Sequence, residues 1–193
     1  MGPNNKDGFN LFREEGNGMS SLKQMYVKEM ESPLGLLSIV ASERGVCQIH
    51  FGEINKAQVT AKLSKAGIRP QWIHLDENED LDICGQLREY FNGLRVEFDA
   101  DIDLIGTPFQ LKVWKELQNI GYGKTKSYKD IAQAIGAPKA VRAVGGANNQ
   151  NPLPILIPCH RVIGSNGAMV GYGGGLTKKQ LLLGLEGALK ISS

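Results

Sequence analysis

The sequence predicts an α/β (α+β) fold in which a small N-terminal antiparallel sheet with helices precedes a mostly helical C-terminal half. Two observations support this fold class. Short apolar runs separated by turn residues occupy the first part of the chain, as expected for strands. Beyond residue 107 the apolar residues instead recur at helical spacing, behind residues that commonly cap helices.

The chain divides into three predicted segments. Residues 1–22 are polar, rich in Gly and Asn and without periodicity, which indicates a mobile tail. Residues 23–104 would form the sheet and helix domain, and residues 105–193 the C-terminal domain that carries the chemistry. In the first domain we expect strands at 26–30, 36–41, 46–51 and 96–100, and helices at 54–66 and 81–91.

The composition excludes several classes of protein. No run of about 18 apolar residues occurs, and the N-terminus lacks the apolar core of a signal peptide, so we expect no membrane contact. A cytoplasmic location follows, or a nuclear one in a eukaryotic source. Cys47, Cys84 and Cys159 form no CxxC pair, which argues against a disulfide framework and a zinc site. We predict no bound metal and no cofactor.

The charge is distributed unevenly along the chain. Residues 1–105 contain 11 Lys/Arg and 17 Asp/Glu, a net charge of −6, whereas residues 106–193 contain 11 Lys/Arg and 3 Asp/Glu, a net charge of +8. This asymmetry suggests that the second half binds a polyanion, most simply nucleic acid, and that the first half does not. A solvated basic surface explains the charge equally well.

The basic half contains the start signals of three helices. Thr107 and Pro108 suit the N-cap and first position of a helix at 108–120, and Ser127 precedes a second helix. A tight turn containing glycine separates this second helix from a third at 139–148. Two helices joined by such a turn are the elements of a helix-turn-helix.

The third helix is composed almost entirely of small residues, with Arg142 as the long cation within 140–147. A glycine inside a helix costs about 1 kcal/mol relative to alanine, so a compensating contact is expected. A face without bulk allows close approach to nucleic acid, and it allows close packing against a neighbouring helix equally well. Its small residues include Ala143, Gly145, Gly146 and Ala147.

A cysteine and a histidine are adjacent in the segment PCHRVIG. The apolar residues 155–157 before it indicate a buried strand, on which neighbouring side chains point to opposite faces. Cys159 and His160 would therefore cooperate only if the strand breaks after Pro158. Cysteine attacks as its thiolate and needs a base nearby, which His160 would supply. A buried structural cysteine beside an incidental histidine is the alternative.

Four motifs together resemble those of the O6-alkylguanine-DNA alkyltransferases, also called methylated-DNA-protein-cysteine methyltransferases. The resemblance covers residues 107–188, with a weaker match in architecture from about 25 to 100. It implies DNA repair by irreversible transfer of the alkyl group from O6-alkylguanine, and less well from O4-alkylthymine, to the protein's own cysteine. The motifs are RAVGGA at 142–147, NP at 151–152, PILIPCHRV at 154–162 and EG at 186–187.

The resemblance also implies roles for single residues. Cys159 would accept the alkyl group in an SN2 displacement, His160 would deprotonate the thiol through a water, and Glu186 would orient the imidazole. Asn151 would tie the helix-turn-helix to the active-site segment. Tyr128 would donate a hydrogen bond to N3 of the guanine.

The implied partner is double-stranded DNA containing O6-alkylguanine, bound mainly through the minor groove by a monomer. The target base would be flipped out of the duplex, and Arg142 would fill the vacated stack. Some relatives have Ser at position 173, which bears on the size of alkyl group that fits, and the glycines at 173–175 also suit a merely flexible loop. The DNA-binding residues would be Tyr128, Arg142, Ala143, Gly145, Gly146 and Ala147, and the pocket residues Pro154, Val162, Tyr172, Gly173 and Gly174.

Other functions remain open at this point. A non-catalytic sensor of alkylated DNA would lack the acceptor thiol, whereas Cys159 is present. A helix-turn-helix regulator should display Arg, Asn or Gln toward base edges, whereas the third helix displays mostly Ala and Gly. A cysteine hydrolase would turn over repeatedly, which an alkylated Cys159 would not.

Overall fold

The computed structural model describes residues 21–189. Of the predicted tail, residues 1–20 lie outside the described part, and Ser21 and Leu22 belong instead to the first strand. In chain order the elements are β1 (Ser21–Met30), β2 (Leu37–Ser42), β3 (Gly45–Phe51), α1 (Lys56–Lys65), β4 (Ile68–His74), α2 (Asp82–Phe91), α3 (Pro108–Gln118), β5 (Lys126–Ser127), α4 (Tyr128–Ala134), α5 (Val141–Asn149), a 3₁₀ turn (Cys159–Arg161), β6 (Val162–Ile163) and α6 (Leu176–Leu185).

The N-terminal sheet is mixed, with strand order β3-β2-β1-β4. The first three predicted strands form the expected antiparallel meander, and β4, which was not predicted, adds to it by pairing in parallel with β1. β4 escaped prediction because it follows α1 after a short turn and contains Pro70, a residue tolerated only at the edge of a sheet. The strand expected at 96–100 is not formed.

Each face of the sheet packs against a different part of the molecule. Because successive side chains on a strand point to opposite faces, Val40 joins a small core with Val59 and Leu63 of α1, whereas Ile39 faces the main core. That main core runs without interruption from β2 and α2 into the C-terminal helices, and it includes Cys84, as its helical stripe predicts. The two halves therefore share one hydrophobic core.

The helices of the C-terminal half begin where the capping residues predict. Thr107 and Gln110 form a reciprocal capping box at the start of α3, and Ser127 and Asp130 form another at the start of α4. Gly136, at a φ of +70°, makes the tight turn after α4. The predicted pair of helices, α4 and α5, packs together and against α3.

Trp114 of α3 fixes the position of α5. Its side chain is fully buried, and its indole Nε1 donates a hydrogen bond of 2.8 Å to the carbonyl oxygen of Ala147. A Cβ at Gly106 would lie 2.6 Å from the indole ring, so glycine at that position leaves room for Trp114. The contact with Ala147 joins the two helices through both packing and a buried polar group.

We expect Trp114→Phe to lower the free energy of unfolding by about 2–3 kcal/mol, because it opens a cavity and removes the indole donor from the Ala147 carbonyl, which keeps only the 3.2 Å bond from Gln150 N–H. Chemical denaturation measures this loss. Trp72→Phe is the matched control, since the partly buried Trp72 makes only a 3.3 Å bond to Thr60 Oγ1 and should cost less than about 1 kcal/mol. Equal losses in the two variants would contradict the anchoring role of Trp114.

Candidate active site

Cys159 lies at the start of a 3₁₀ turn, directly after Pro158. The buried strand expected at 155–157 is replaced by turns, because Ile155 has a φ of +78°, a conformation that no strand residue adopts. The condition set for cooperation of Cys159 and His160 is met, because a 3₁₀ turn and not a strand follows Pro158. Cysteine and histidine therefore lie on a tight turn and not on opposite faces of a strand.

Asn151 holds this turn in place. Its side-chain oxygen accepts from the backbone N–H of Leu153 at 3.1 Å, and its Nδ2 donates to the carbonyl oxygen of Ile157 at 2.8 Å. The side chain of Asn151 thus joins the two ends of the segment between α5 and Cys159. Because Asn151 follows the end of α5, its bond to Ile157 supports the predicted role of joining the helix-turn-helix to the active-site segment.

The thiol of Cys159 is only 4% exposed, and burial raises its pKa to about 11. Several groups oppose that effect and favour the thiolate: the side chain of Asn151, the charge of Lys179, and the backbone N–H groups of Cys159 and His160. The resting thiol is nevertheless protonated at neutral pH. A base is needed to generate the nucleophile.

His160 is fully buried, and its Nε2 lies 2.8 Å from Glu186 Oε1. Burial lowers the pKa of His160 in spite of the opposing hydrogen bond and charge of Glu186, so the ring is neutral near pH 7. A neutral ring can bond to a carboxylate only through N–H, which places the proton on Nε2 and the lone pair on Nδ1. Nδ1 is buried and has no hydrogen-bond partner among the described residues.

Glu186 accepts hydrogen bonds from several parts of the chain besides His160. Oε1 accepts from Tyr90 Oη at 2.7 Å and from Arg161 Nη2 at 2.9 Å, and Oε2 accepts from Arg161 Nε at 2.8 Å and from the N–H of Gly123 at 3.4 Å. Burial alone would raise the pKa of Glu186, but the bonds from His160, Arg161 and Tyr90 outweigh it and lower the pKa to about 2. Glu186 is a permanent, buried anion.

Sequence reasoning missed three members of this arrangement. Arg161 directly follows His160 but was not assigned a role, although an arginine in an apolar motif needs a carboxylate partner. Tyr90 belongs to the N-terminal domain, and nothing local connects it to Glu186. Lys179 of α6 is fully buried and donates to the carbonyl oxygens of Val162 and Val170; burial lowers its pKa to about 8.

A cavity of about 390 Å³ leads to Cys159. The predicted pocket residues Pro154, Tyr172, Gly173 and Gly174 line it, but Val162 does not, because its side chain is fully buried in β6. The opposite wall was not predicted, since it comes from the N-terminal domain. It consists of Ile49, His50 and Phe51 of β3. Lys178 of α6, in the C-terminal domain, also lines the cavity and was not predicted.

The glycines beside the cavity are closely packed. A Cβ at Gly174 would lie 2.6 Å from the ring of Phe51 and 2.8 Å from that of Tyr172. A Cβ at Gly173 would lie 3.1 Å from the carbonyl oxygen of Asn149, so Ser at this position would require the backbone of Asn149 to shift slightly. Residue 174 must be glycine because a side chain would clash with its neighbours, and not because the loop has to be flexible.

The outer face of α5 is small and exposed. Arg142, Ala143 and Gly146 are exposed, whereas Ala147 is buried and packs in the core, so its predicted contact with DNA was wrong. Gly145 is partly buried, where a Cβ would lie 3.9 Å from the ring of Tyr128. The sequence interpretation did not separate these positions because alanine occurs on both faces of α5, exposed at Ala143 and buried at Ala147 beside Val144.

Tyr128 is the first residue of α4, as its sequence position predicts. Its hydroxyl lies 3.1 and 3.0 Å from the carbonyl oxygens of Val170 and Gly171. Burial and the nearby Cys159 raise the pKa of Tyr128, so the hydroxyl is a protonated donor close to the thiol. Its present partners lie in the loop that borders the cavity.

Neither a metal cluster nor a membrane helix is found in the described part of the chain. Between residues 21 and 189, no group of three or more His, Cys, Asp and Glu side chains is arranged to hold a metal ion. Over the same residues, no helix is long and apolar enough to cross a membrane.

Two family models match the chain. The DNA-binding domain of 6-O-methylguanine DNA methyltransferase matches residues 108–188, and the ribonuclease-like domain of the same enzyme matches residues 25–104. The chain is 58% identical over 159 residues to the methylated-DNA-protein-cysteine methyltransferase of Mycolicibacterium paratuberculosis, covering 82% of this chain and 90% of the relative. It is 41% identical to the constitutive enzyme of Bacillus subtilis, covering 83% of this chain and 94% of the relative.

Solved structures agree with these matches. The structure of Mycobacterium tuberculosis O6-methylguanine methyltransferase has a TM-score of 0.71 at 37% identity, with coverage of 88% of this chain and 96% of that one. The same organism's OGT in complex with DNA has a TM-score of 0.69 at 39% identity, with coverage of 86% and 93%. The chain belongs to the methylated-DNA-protein-cysteine methyltransferase family.

We expect Glu186→Gln to lower the free energy of unfolding by about 3–5 kcal/mol, because it leaves the buried guanidinium of Arg161 without its counter-ion. Stability should also lose the part of its acid dependence that Glu186 contributes. A carboxyl whose pKa is about 2 in the folded state and 4.5 in the unfolded chain contributes stability that is present above pH 4.5 and lost as the pH falls toward 2.

Denaturant titrations between pH 2 and 7 measure both effects. Glu116→Gln is the matched control, because the Glu116–Lys126 pair is partly exposed and its loss should cost less than about 1 kcal/mol. A Glu186→Gln protein as stable as the control, with an unchanged acid profile, would show that the carboxylate network does not stabilise the fold.

Proposed function

We propose that this protein repairs O6-alkylguanine in DNA, and less efficiently O4-alkylthymine, by transferring the alkyl group to Cys159 in a single irreversible reaction. One observation carries the proposal: a buried thiol lies beside the His160–Glu186 pair at the base of a cavity. Membership of the family supports the same reaction.

The residues supply each step of an SN2 displacement. His160 Nδ1 takes the thiol proton through a bridging water, and Glu186 stabilises the imidazolium that forms. The Cys159 sulfur then forms a bond to the alkyl carbon as the bond from that carbon to guanine O6 breaks. The electron pair of the broken bond remains on the guanine, which takes up a proton and leaves unmodified. The thioether product has no leaving group, so the protein acts once.

Negative charge develops on the guanine during this reaction, and a donor beside the base lowers the barrier. Tyr128 is suited to that role because its hydroxyl is protonated and lies near Cys159. Donation to guanine N3 requires the hydroxyl to exchange its present carbonyl partners for the base. The buried cation of Lys179 favours the thiolate in the same site.

The target base reaches Cys159 only if it leaves the duplex, because the thiol is buried. We propose that α5 enters the minor groove with its exposed face, where Ala143 and Gly146 allow close approach. Arg142 is long, cationic and exposed at the start of α5, which suits it to fill the vacated stack. Gly145, which lies next to Tyr128, would contact the DNA in the same groove. A monomeric state and a cytoplasmic location stay predictions.

Intact-protein mass after incubation with an oligonucleotide containing O6-methylguanine tests the reaction. We expect the gain of one methylene mass per chain, mapped to Cys159, and no gain in Cys159→Ala with DNA affinity retained. Cys84→Ala is the control, since Cys84 is a core residue and its loss should not stop transfer. Retained binding without a mass change would support a sensor or regulator, and repeated turnover would support a hydrolase.

We expect Arg142→Ala to slow methyl transfer from duplex DNA by roughly 100-fold, because a flipped base costs a few kcal/mol that the inserted side chain offsets. Reaction with free O6-benzylguanine should change less than about twofold, since no duplex is opened. Single-turnover rates measure both. Lys139→Ala removes a neighbouring exposed cation and should reduce duplex repair far less. Equal losses on duplex and free base would argue against the stacking role.

A further inference from the structure

The cavity that holds Cys159 continues into a second cleft of about 620 Å³. The two share lining residues from β3, from the end of α5 and from the loop before α6, including His50, Asn149 and Gly173. The far side of the second cleft is α1 of the N-terminal domain, through Gln58, Ala61, Lys62 and Lys65. We call this second space the cross-domain cleft.

The cross-domain cleft is positively charged. Among the described residues that line it or the Cys159 cavity, none is Asp or Glu. Lys62 and Lys65 line the cross-domain cleft and Lys178 lines the cavity, whereas His50 is neutral near pH 7 because its pKa is lowered. α1 itself contains no acidic residue. The pKa of His50 is lowered mainly by burial and further by the positive charge of Lys62. The charge of Lys62 therefore acts on a residue that lines the cleft. This surface is basic even though the N-terminal half carries a net charge of −6.

The exposed face of α5 leads into this cleft. Arg142, Gly146 and Asn149 are spaced by four and three residues, which places them on one helical stripe, and all three are exposed. Asn149 and the next residue, Gln150, form a wall of the cross-domain cleft. A DNA strand that follows α5 past the Cys159 cavity therefore arrives at Lys62 and Lys65.

The relative position of α1 and α5 is fixed by direct bonds between the domains. The N–H of Ile49 in β3 donates to the carbonyl oxygen of Pro152 at 2.8 Å, directly under the cleft. The core packing described above continues across the same boundary. α1 packs on the same sheet through Val59 and Leu63, so its backbone is positioned relative to the segment that leads from α5 to Cys159.

We propose that Lys62 and Lys65 bind backbone phosphates of the DNA strand beside the flipped nucleotide, so that the N-terminal domain forms part of the DNA-binding surface. This inference rests on the proposed function. It replaces the expectation that the first half of the chain does not meet a polyanion. The lining favours the backbone over bases, because it offers ammonium and amide donors but no Phe, Tyr or Trp ring on which a base could stack.

The test compares Lys62→Gln/Lys65→Gln with the wild-type protein on a duplex containing O6-methylguanine. Each lysine that neutralises a phosphate contributes about 0.9 to the slope of log affinity against log salt, so the slope should weaken by about 1.8. Affinity near 0.1 M salt should fall roughly tenfold or more. The rate with free O6-benzylguanine should not change, because that substrate has no phosphate.

Two further variants sharpen the comparison. Lys62→Arg/Lys65→Arg keeps both charges and should bind DNA with nearly wild-type affinity and salt slope. Lys56→Gln removes a cation from the same helix outside the cleft, where Lys56 bonds to His74, and should leave DNA affinity unchanged. Thermal unfolding checks that all variants are folded.

The outcomes separate the two proposals. A wild-type protein that gains no alkyl group from DNA overturns the proposed function. A wild-type protein that reacts, with a double Gln variant of unchanged affinity and salt slope, overturns only the role of Lys62 and Lys65. Equal losses with DNA and with free O6-benzylguanine, or a loss shared by Lys56→Gln, also overturn it.

Discussion

The buried carboxylate of Glu186 is the interaction on which the site and the domain junction both depend. It accepts from Tyr90 of the first domain, from His160 and Arg161 on the turn that carries Cys159, and from the backbone of Gly123. Such an anion is tolerated only because donors surround it and a guanidinium neutralises it. The geometry of the site therefore depends on the hydrogen bonds and the counter-ion of this carboxylate as much as on apolar packing.

Arg161 determines what His160 can do. If the imidazole were the sole partner of the anion, the carboxylate would hold a proton on the ring and remove its basicity. Arg161 makes two bonds to the carboxylate and supplies the compensating positive charge, and its charge also lowers the pKa of His160. The ring stays neutral, with Nε2–H toward the carboxylate and Nδ1 available as a base.

Local signals predicted a good part of the fold, because caps and turns depend on a few neighbouring residues. Thr107 and Ser127 start helices as predicted, and Gly136 ends one. β4 and the turn at Ile155 depend on tertiary packing, and the local pattern did not reveal either. In the site, the adjacency of Cys159 and His160 is visible in the sequence. The pairing with Glu186 came from the family resemblance, and that with Tyr90, which lies 96 residues away in the chain, came only from the structure.

The glycines at the cavity show why composition alone left two interpretations open. Gly171 and Gly175 have φ values of +55° and +88°, which favour glycine for conformational reasons. Gly174 has no such requirement, and it is glycine because the rings of Phe51 and Tyr172 occupy the space of a Cβ. Phe51 belongs to β3, so the N-terminal sheet helps to limit the room available to an alkyl group. A merely flexible loop would not require Gly174 to pack against these two rings. The close packing of Gly174 therefore indicates that residues 173 and 174 form a wall of the cavity.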